Sequence, residues 1–146
     1  MDPPQFTIRL FQDSDEPGVV DLWNAVFAYT APHNDPAVSI RRKRAVQPEL
    51  FLVAEIAGRI VGSVMGGYDG HRGWIYSLAV SPAQRRRGIG AALMKRVESE
   101  LARLDCPKIN LQVLRANAAV VDFYRRLGYA VEDRLSLGKL TDGGAR

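Results

Sequence analysis

The stretch from Trp74 to Leu104, WIYSLAVSPAQRRRGIGAALMKRVESELARL, constrains the fold more than any other part of the chain. Ile75, Tyr76, Leu78, Ala79 and Val80 form a mostly β-favouring run of strand length. Ser81-Pro82 ends it, because proline removes a ladder donor and pushes the residue before it out of helical geometry. From Ile89 the apolar residues recur at Leu93, Val97, Leu101 and Leu104, three or four apart, which is one face of a helix. The unit is strand, loop, helix, with Arg85-Arg86-Arg87-Gly88-Ile89-Gly90 at the joint.

Such a joint is built for an anion. The first N–H groups of a helix lack partners and carry partial positive charge, and glycines let the backbone come close to a phosphate. The three arginines add fixed charge and paired donors, so a pyrophosphate is the expected guest. Gly88-x-Gly90 lacks the third glycine of the dinucleotide fingerprint, and no Gly-Lys-Ser/Thr follows as in a P-loop. The pattern Arg85-x-x-Gly88-x-Gly90 resembles the Arg/Gln-x-x-Gly-x-Gly/Ala signature of the GCN5-related N-acetyltransferases (GNAT). Two flanking segments extend the likeness: Leu78-Ala79-Val80-Ser81-Pro82 before it, and Asn117 followed by Phe123-Tyr124-Arg125-Arg126-Leu127-Gly128-Tyr129 after it.

The resemblance implies an α+β fold with a mixed, mainly antiparallel central sheet, flanking helices and a splayed pair of parallel strands. It implies acetyl-CoA as co-substrate, with the pantetheine arm inserted between the splayed strands and paired to the main chain of Leu78 and Val80, Ala79 lying between them. The pyrophosphate is expected at Arg85, Arg86, Arg87, Gly88, Ile89, Gly90 and Ala91, the backbone N–H groups from Arg87 to Ala91 contributing more than the side chains. Asn117 is either a helix N-cap or a residue that helps hold the coenzyme. Tyr124 is assigned two roles, coenzyme contact and donation of a proton to the departing thiolate. A phenol with an ordinary pKa of about 10 stays protonated at neutral pH, above a thiol at about 8.5.

The rest of the chain reads as support. Phe6–Leu10 is a first strand, and Asp13 or Ser14 can cap a helix that buries Val19, Leu22, Trp23, Val26 and Phe27. Asp35-Pro36 starts a second helix to about Val46, whose Arg41-Arg42-Lys43-Arg44 run is a solvated face or borders an acidic acceptor or the coenzyme's 3′-phosphate. Leu50–Ile56 and Ile60–Tyr68 form a hairpin around Ala57-Gly58-Arg59, and Gly70 to Gly73 turn the chain into Trp74. Gly62, Gly66 and Gly67 inside a strand signal a bulge or a close passage. Lys108–Val113 is a strand parallel to 74–80, a helix ends at Gly128, a last strand spans about Tyr129–Leu140, and TDGGAR is a frayed tail.

With 146 residues, 47% hydrophobic and 25% charged, one domain with a core over about 6–140 is expected, needing neither disulfide nor metal. One cysteine and no secretory leader fit a cytoplasmic protein, monomeric or homodimeric, with no membrane-spanning run. The net charge of +4 suits a polyphosphate ligand, and no aromatic residues interleave with the basic runs, which disfavours nucleic acid. Cys106 is expected to pack, because the helix puts it about 24 Å from the phosphate joint and so rules against an acetyl-cysteine route.

The reading is therefore an acetyltransferase that moves an acetyl group from acetyl-CoA to a primary amine by direct attack in a ternary complex. A non-catalytic acyl-CoA-binding regulatory module is the alternative, because the glutamate many family members carry in the central strand is Tyr76 here. The base stays open among Glu55, Asp69, His71 and a water chain. The acceptor site is expected around residues 28–46, the loop at 69–73 and the last strand.

Overall fold

The computed structural model describes residues 5–27 and 32–143. Part of the expected acceptor region, 28–31, and the end of the tail, 144–146, lie outside the described residues. Five strands, β1 (Thr7–Leu10), β2 (Phe51–Ile56), β3 (Arg59–Tyr68), β4 (Gly73–Val80) and β5 (Ile109–Leu111), form one sheet in the order β1-β2-β3-β4-β5. The first three pairings are antiparallel and β4 with β5 is parallel. Four α-helices flank it: α1 (Glu16–Val26), α2 (Pro36–Arg44), α3 (Ile89–Arg103) and α4 (Val121–Arg126).

Local chemistry accounts for the joints. Ala57 and Gly58 have φ of 50° and 79°, and Ile56 pairs with Arg59, so a two-residue turn with both φ positive closes the β2–β3 hairpin. Asp35 caps α2 through the Val38 N–H, with Pro36 in the first turn. The expected caps on α1 are not used. Residues 13–15 form a 3₁₀ turn and α1 starts at Glu16, while the Asp15 carboxylate accepts from Gln12 N–H and from Arg9. Both α3 and α4 end in a Schellman arrangement: Cys106 N–H reaches Leu101 O after Asp105 (φ 60°), and Tyr129 N–H reaches Tyr124 O after Gly128 (φ 97°).

The sheet is covered on both faces, which is why β2 is apolar without alternation from Phe51 to Ala54, with Glu55 near its end. Leu52, Ala54, Val64 and Ile75 pack under Leu93, Val97 and Leu101 of α3. Phe51, Val53, Met65 and Ala79 pack under Val19, Trp23 and Ile40 of α1 and α2. Two of the three β3 glycines are explained by close passage of α3: a Cβ on Gly62 would lie 3.0 Å from Leu93 Cδ1, and one on Gly66 2.8 Å from Val97 Cγ2. The basic run of α2 divides. Lys43 Nζ donates to Gly66 O, and Gln47 bonds both Tyr68 N and Tyr68 O, so two side chains continue the edge of β3 beyond the start of β2.

One expected element is absent. No strand forms over Tyr129–Leu140; the segment is joined to the β5 region only by side chains, Glu132 to Lys108 and Asn110, and Ser136 to Gln112. Those pairs keep a nearly constant offset and so run parallel, at side-chain rather than backbone reach. Leu135 and Leu137 are 87% and 91% exposed, so burial does not hold the segment against the sheet.

Candidate active site

The β4–β5 ladder is short. Gly73, Trp74 and Ile75 pair with Ile109, Asn110 and Leu111, and beyond Ile75 β4 continues to Val80 with no partner on that side among the described residues. A bulge decides what faces the opening. Met65 pairs with Tyr76 but Ser63 with Ala79, so β4 carries one extra residue there, and Ser77 has φ of 52°. Gly73 N–H bonds Lys108 O towards β5, whereas Ser81 N–H, also an odd position, bonds Val61 O towards β3. The bulge has therefore inverted the alternation, and the N–H groups of Leu78 and Val80 point to the side that β5 has left. Side chains obey the same inversion: Ile75 and Leu78 both pack on the α3 face, and Ala79 lies under α1.

At the end of β4, residues 82–84 make a 3₁₀ turn, Arg86 has φ of 66° and Gly88 φ of 80°, and α3 begins at Ile89. Ala92 N–H closes the first turn on Gly88 O, leaving the N–H groups of Ile89, Gly90 and Ala91 without helical acceptors. Arg85, Arg86 and Arg87 are exposed around that helix start. The two glycines serve different ends. A Cβ on Gly88 would meet nothing within 4 Å, so its role is the left-handed backbone; a Cβ on Gly90 would lie 3.3 Å from Phe123 Cζ, so its role is to admit α4.

Phe123 thus seats α4 against the start of α3 and Val80, and the next residue is Tyr124. The Tyr124 ring is held edge-on between Phe123, at 5.1 Å, and Tyr129, at 5.9 Å, and burial pushes its phenol above the ordinary value. Tyr129 donates to Glu98 of α3 at 2.6 Å; burial and then that carboxylate keep its proton on. Asn117 lies in a 3₁₀ turn ahead of α4 with an exposed side chain and does not cap the helix.

Among the expected bases, Glu55 accepts from Arg9 Nη2 at 2.9 Å, on a strand two removed from β4. Asp69 accepts from the N–H groups of His71 and Arg72, first Arg72 and then His71 holding its carboxyl below the ordinary range, and so forms the β3–β4 turn. His71 is exposed in that turn. Tyr76 is half exposed beside Met65 on the α1 face, with its phenol raised by burial.

The chain and its fold have counterparts among known proteins. A model of the acetyltransferase (GNAT) family matches residues 17–129. The chain belongs to the GNAT family. An acetyltransferase of Yersinia enterocolitica is 50% identical over 132 residues, covering 90% of this chain and 93% of that protein. Among solved structures, Ard1 from Thermoplasma volcanium superposes with a TM-score of 0.76 at 28% identity, over 87% of this chain and 84% of that one. Chaetomium thermophilum Naa20, solved with a bisubstrate analogue, gives 0.71 at 26% identity, over 86% of this chain and 71% of that one.

In this GNAT chain, the unpaired end of β4 with Leu78 and Val80 runs into the Arg85–Ala91 joint, and Gly90 of that joint faces Phe123, the residue before Tyr124. Ala79 stands apart, with its methyl group under α1 and its N–H towards β3. The sequence reading placed Trp23 in the buried face of the first helix, as found, but missed Ser63 and the bond between the two. Ser63 is fully buried; it accepts from Trp23 Nε1 at 2.7 Å and donates to Ser77 O at 3.0 Å, tying the bulge to α1. A serine in an otherwise apolar strand was the available signal.

Proposed function

We propose that the protein is an N-acetyltransferase that transfers the acetyl group of acetyl-CoA to a primary amine by direct attack in a ternary complex. The observation that carries this reading is the fork: β4 loses β5 beyond Ile75 at the point where its bulge turns the Leu78 and Val80 N–H groups outward. On that side the Val80 N–H and the Leu78 carbonyl suit the pantetheine amides, which leaves the Leu78 N–H for the thioester end. The free N–H groups of Ile89 to Ala91 and the guanidinium groups of Arg85 to Arg87 suit the pyrophosphate at one end.

In this reading the amine nitrogen attacks the thioester carbonyl carbon, the C–S bond breaks, and Tyr124 gives its proton to the leaving thiolate. A raised phenol pKa keeps Tyr124 protonated for that step, and solvent returns the proton afterwards. The amine's surplus proton leaves by water, because Glu55 and Asp69 are engaged by Arg9 and by backbone N–H groups. The acceptor approaches from the α1 face, where Tyr76 stands in place of the usual glutamate.

The test combines thiol release from acetyl-CoA over a panel of small amines and N-terminal peptides with thermal shift. Tyr124→Phe is expected to lower kcat by about a hundredfold or more while keeping the stabilisation by coenzyme A. Stabilisation by coenzyme with no turnover on any amine would instead favour the regulatory, non-catalytic module.

A further inference from the structure

Ser77 adopts a left-handed backbone without being glycine, a conformation that costs free energy and persists only where its surroundings impose it. The surroundings here are specific. The Ser77 carbonyl accepts from Ser63 Oγ, and Ser63 Oγ in turn accepts from Trp23 Nε1. Trp23 and Ser63 have no solvent exposure, so the indole N–H and the hydroxyl cannot exchange their partners for bulk water, and Ser77 is itself partly buried. The hydroxyl donates to one neighbour and accepts from the other, which fixes its proton and makes the chain directional from α1 through β3 to β4.

From this we infer that Ser63 and Trp23 are positioning residues for acetyl transfer: their hydrogen-bonded chain holds the Ser77 carbonyl, keeps the bulge in register, and so aims the Leu78 N–H at the thioester carbonyl oxygen. The inference rests on the proposed coenzyme site. Its logic is geometric. Without the extra residue, the alternation that puts Gly73 N–H towards β5 would turn Leu78 N–H towards β3. Removing the Ser63 hydroxyl leaves the indole N–H buried and unpaired and takes away the side-chain donor that holds the Ser77 carbonyl, which removes the reason for the bulge to stay where it is. Because neither serine nor tryptophan titrates in the working range, the effect is independent of pH.

The experiment uses full-length protein and acetyl-CoA labelled with carbon-13 at the thioester carbonyl, so no acceptor is needed. A donor aimed at the carbonyl oxygen polarises it and moves the bound resonance downfield of free acetyl-CoA. The wild type is expected to show that displacement. Ser63→Ala should lose most of it, Trp23→Phe part of it, and Ser63→Thr should recover it, while coenzyme A still binds every variant through the Arg85–Ala91 joint, more weakly where the bulge has let the Val80 N–H turn away. If Ser63→Ala melts below the assay temperature, Ser63→Cys, close in shape but a weak donor, carries the same comparison. A wild-type displacement retained in Ser63→Ala or Ser63→Cys overturns the inference. So does an undisplaced resonance in wild type with coenzyme bound, which leaves the coenzyme site standing. A wild type that binds no coenzyme at all overturns both.

Discussion

Gly88 and Gly90 sit two residues apart at the same helix start and respond to opposite constraints, so substitutions separate them. Gly88→Ala keeps open space around its Cβ but forces a residue with a side chain into φ of 80°, a strain of about 1–2 kcal/mol. The cheapest relief is rotation of the peptide that leads into α3, which spoils the N–H array. Gly88→Ala is therefore expected to melt within a few degrees of wild type yet lose most of its stabilisation by coenzyme A in a thermal-shift titration. Gly90→Val presses on Phe123 and Val80 instead, so it should lower the melting temperature itself. Equal coenzyme response in Gly88→Ala and wild type would separate the helix start from the phosphate. The motif residues were legible because glycine, arginine and proline leave strong local marks. Ser63 was not: a buried serine differs from an exposed one only through the partners that folding brings, here Trp23 from forty residues earlier.

The same contrast holds for whole elements. α3 rests on β3 where Gly62 and Gly66 remove side chains, whereas Gly67 points to the other face, with Gln47 and Tyr76 no closer than 3.7 Å to an added Cβ. Gly66→Ala should cost about 1–3 kcal/mol of unfolding free energy, since its methyl would start 2.8 Å from Val97 Cγ2. Gly67→Ala should be neutral or slightly stabilising, because it gains strand propensity without a clash. Urea midpoints of the two variants measure the difference, and equal midpoints would mean that α3 shifts at little cost. Strands, helices and the parallel pair followed from period and punctuation in the sequence. The last strand did not form because apolar alternation at Val131, Leu135 and Leu137 specifies a strand only where a neighbouring edge accepts its backbone. The bulge was hidden for a related reason: Ser77 is neither glycine nor asparagine, and only the swap of Ile75 and Leu78 onto one face betrays it.

Across the molecule, the first strand, the entry to α1 and the hairpin strand β2 meet at one guanidinium. Arg9 bonds Asp15 through Nη1 at 2.7 Å and Nη2 at 2.9 Å, and Glu55 through Nη2 at 2.9 Å. Asp15 also accepts from Gln12 N–H at 2.8 Å, and the Arg9 hydrogen bonds, then that backbone bond, hold its carboxyl below the ordinary value despite burial. A carboxyl with a depressed folded-state pKa stabilises the fold fully above its unfolded value of about 3.9, and the stabilisation drains as pH falls through the folded value. Since α1 carries Trp23, that loss loosens the helix from which the bulge is braced. Asp15→Asn removes the charge while keeping the shape, so it should cost about 1–3 kcal/mol at pH 7. The gap to wild type should narrow as the pH is lowered below 4, because the wild-type carboxyl is then protonated and the two side chains become alike. Urea unfolding at a series of pH values reads this directly. A constant gap across the series would mean that Asp15 acts through packing at the start of α1, and that the ion pair contributes nothing to the acid limb.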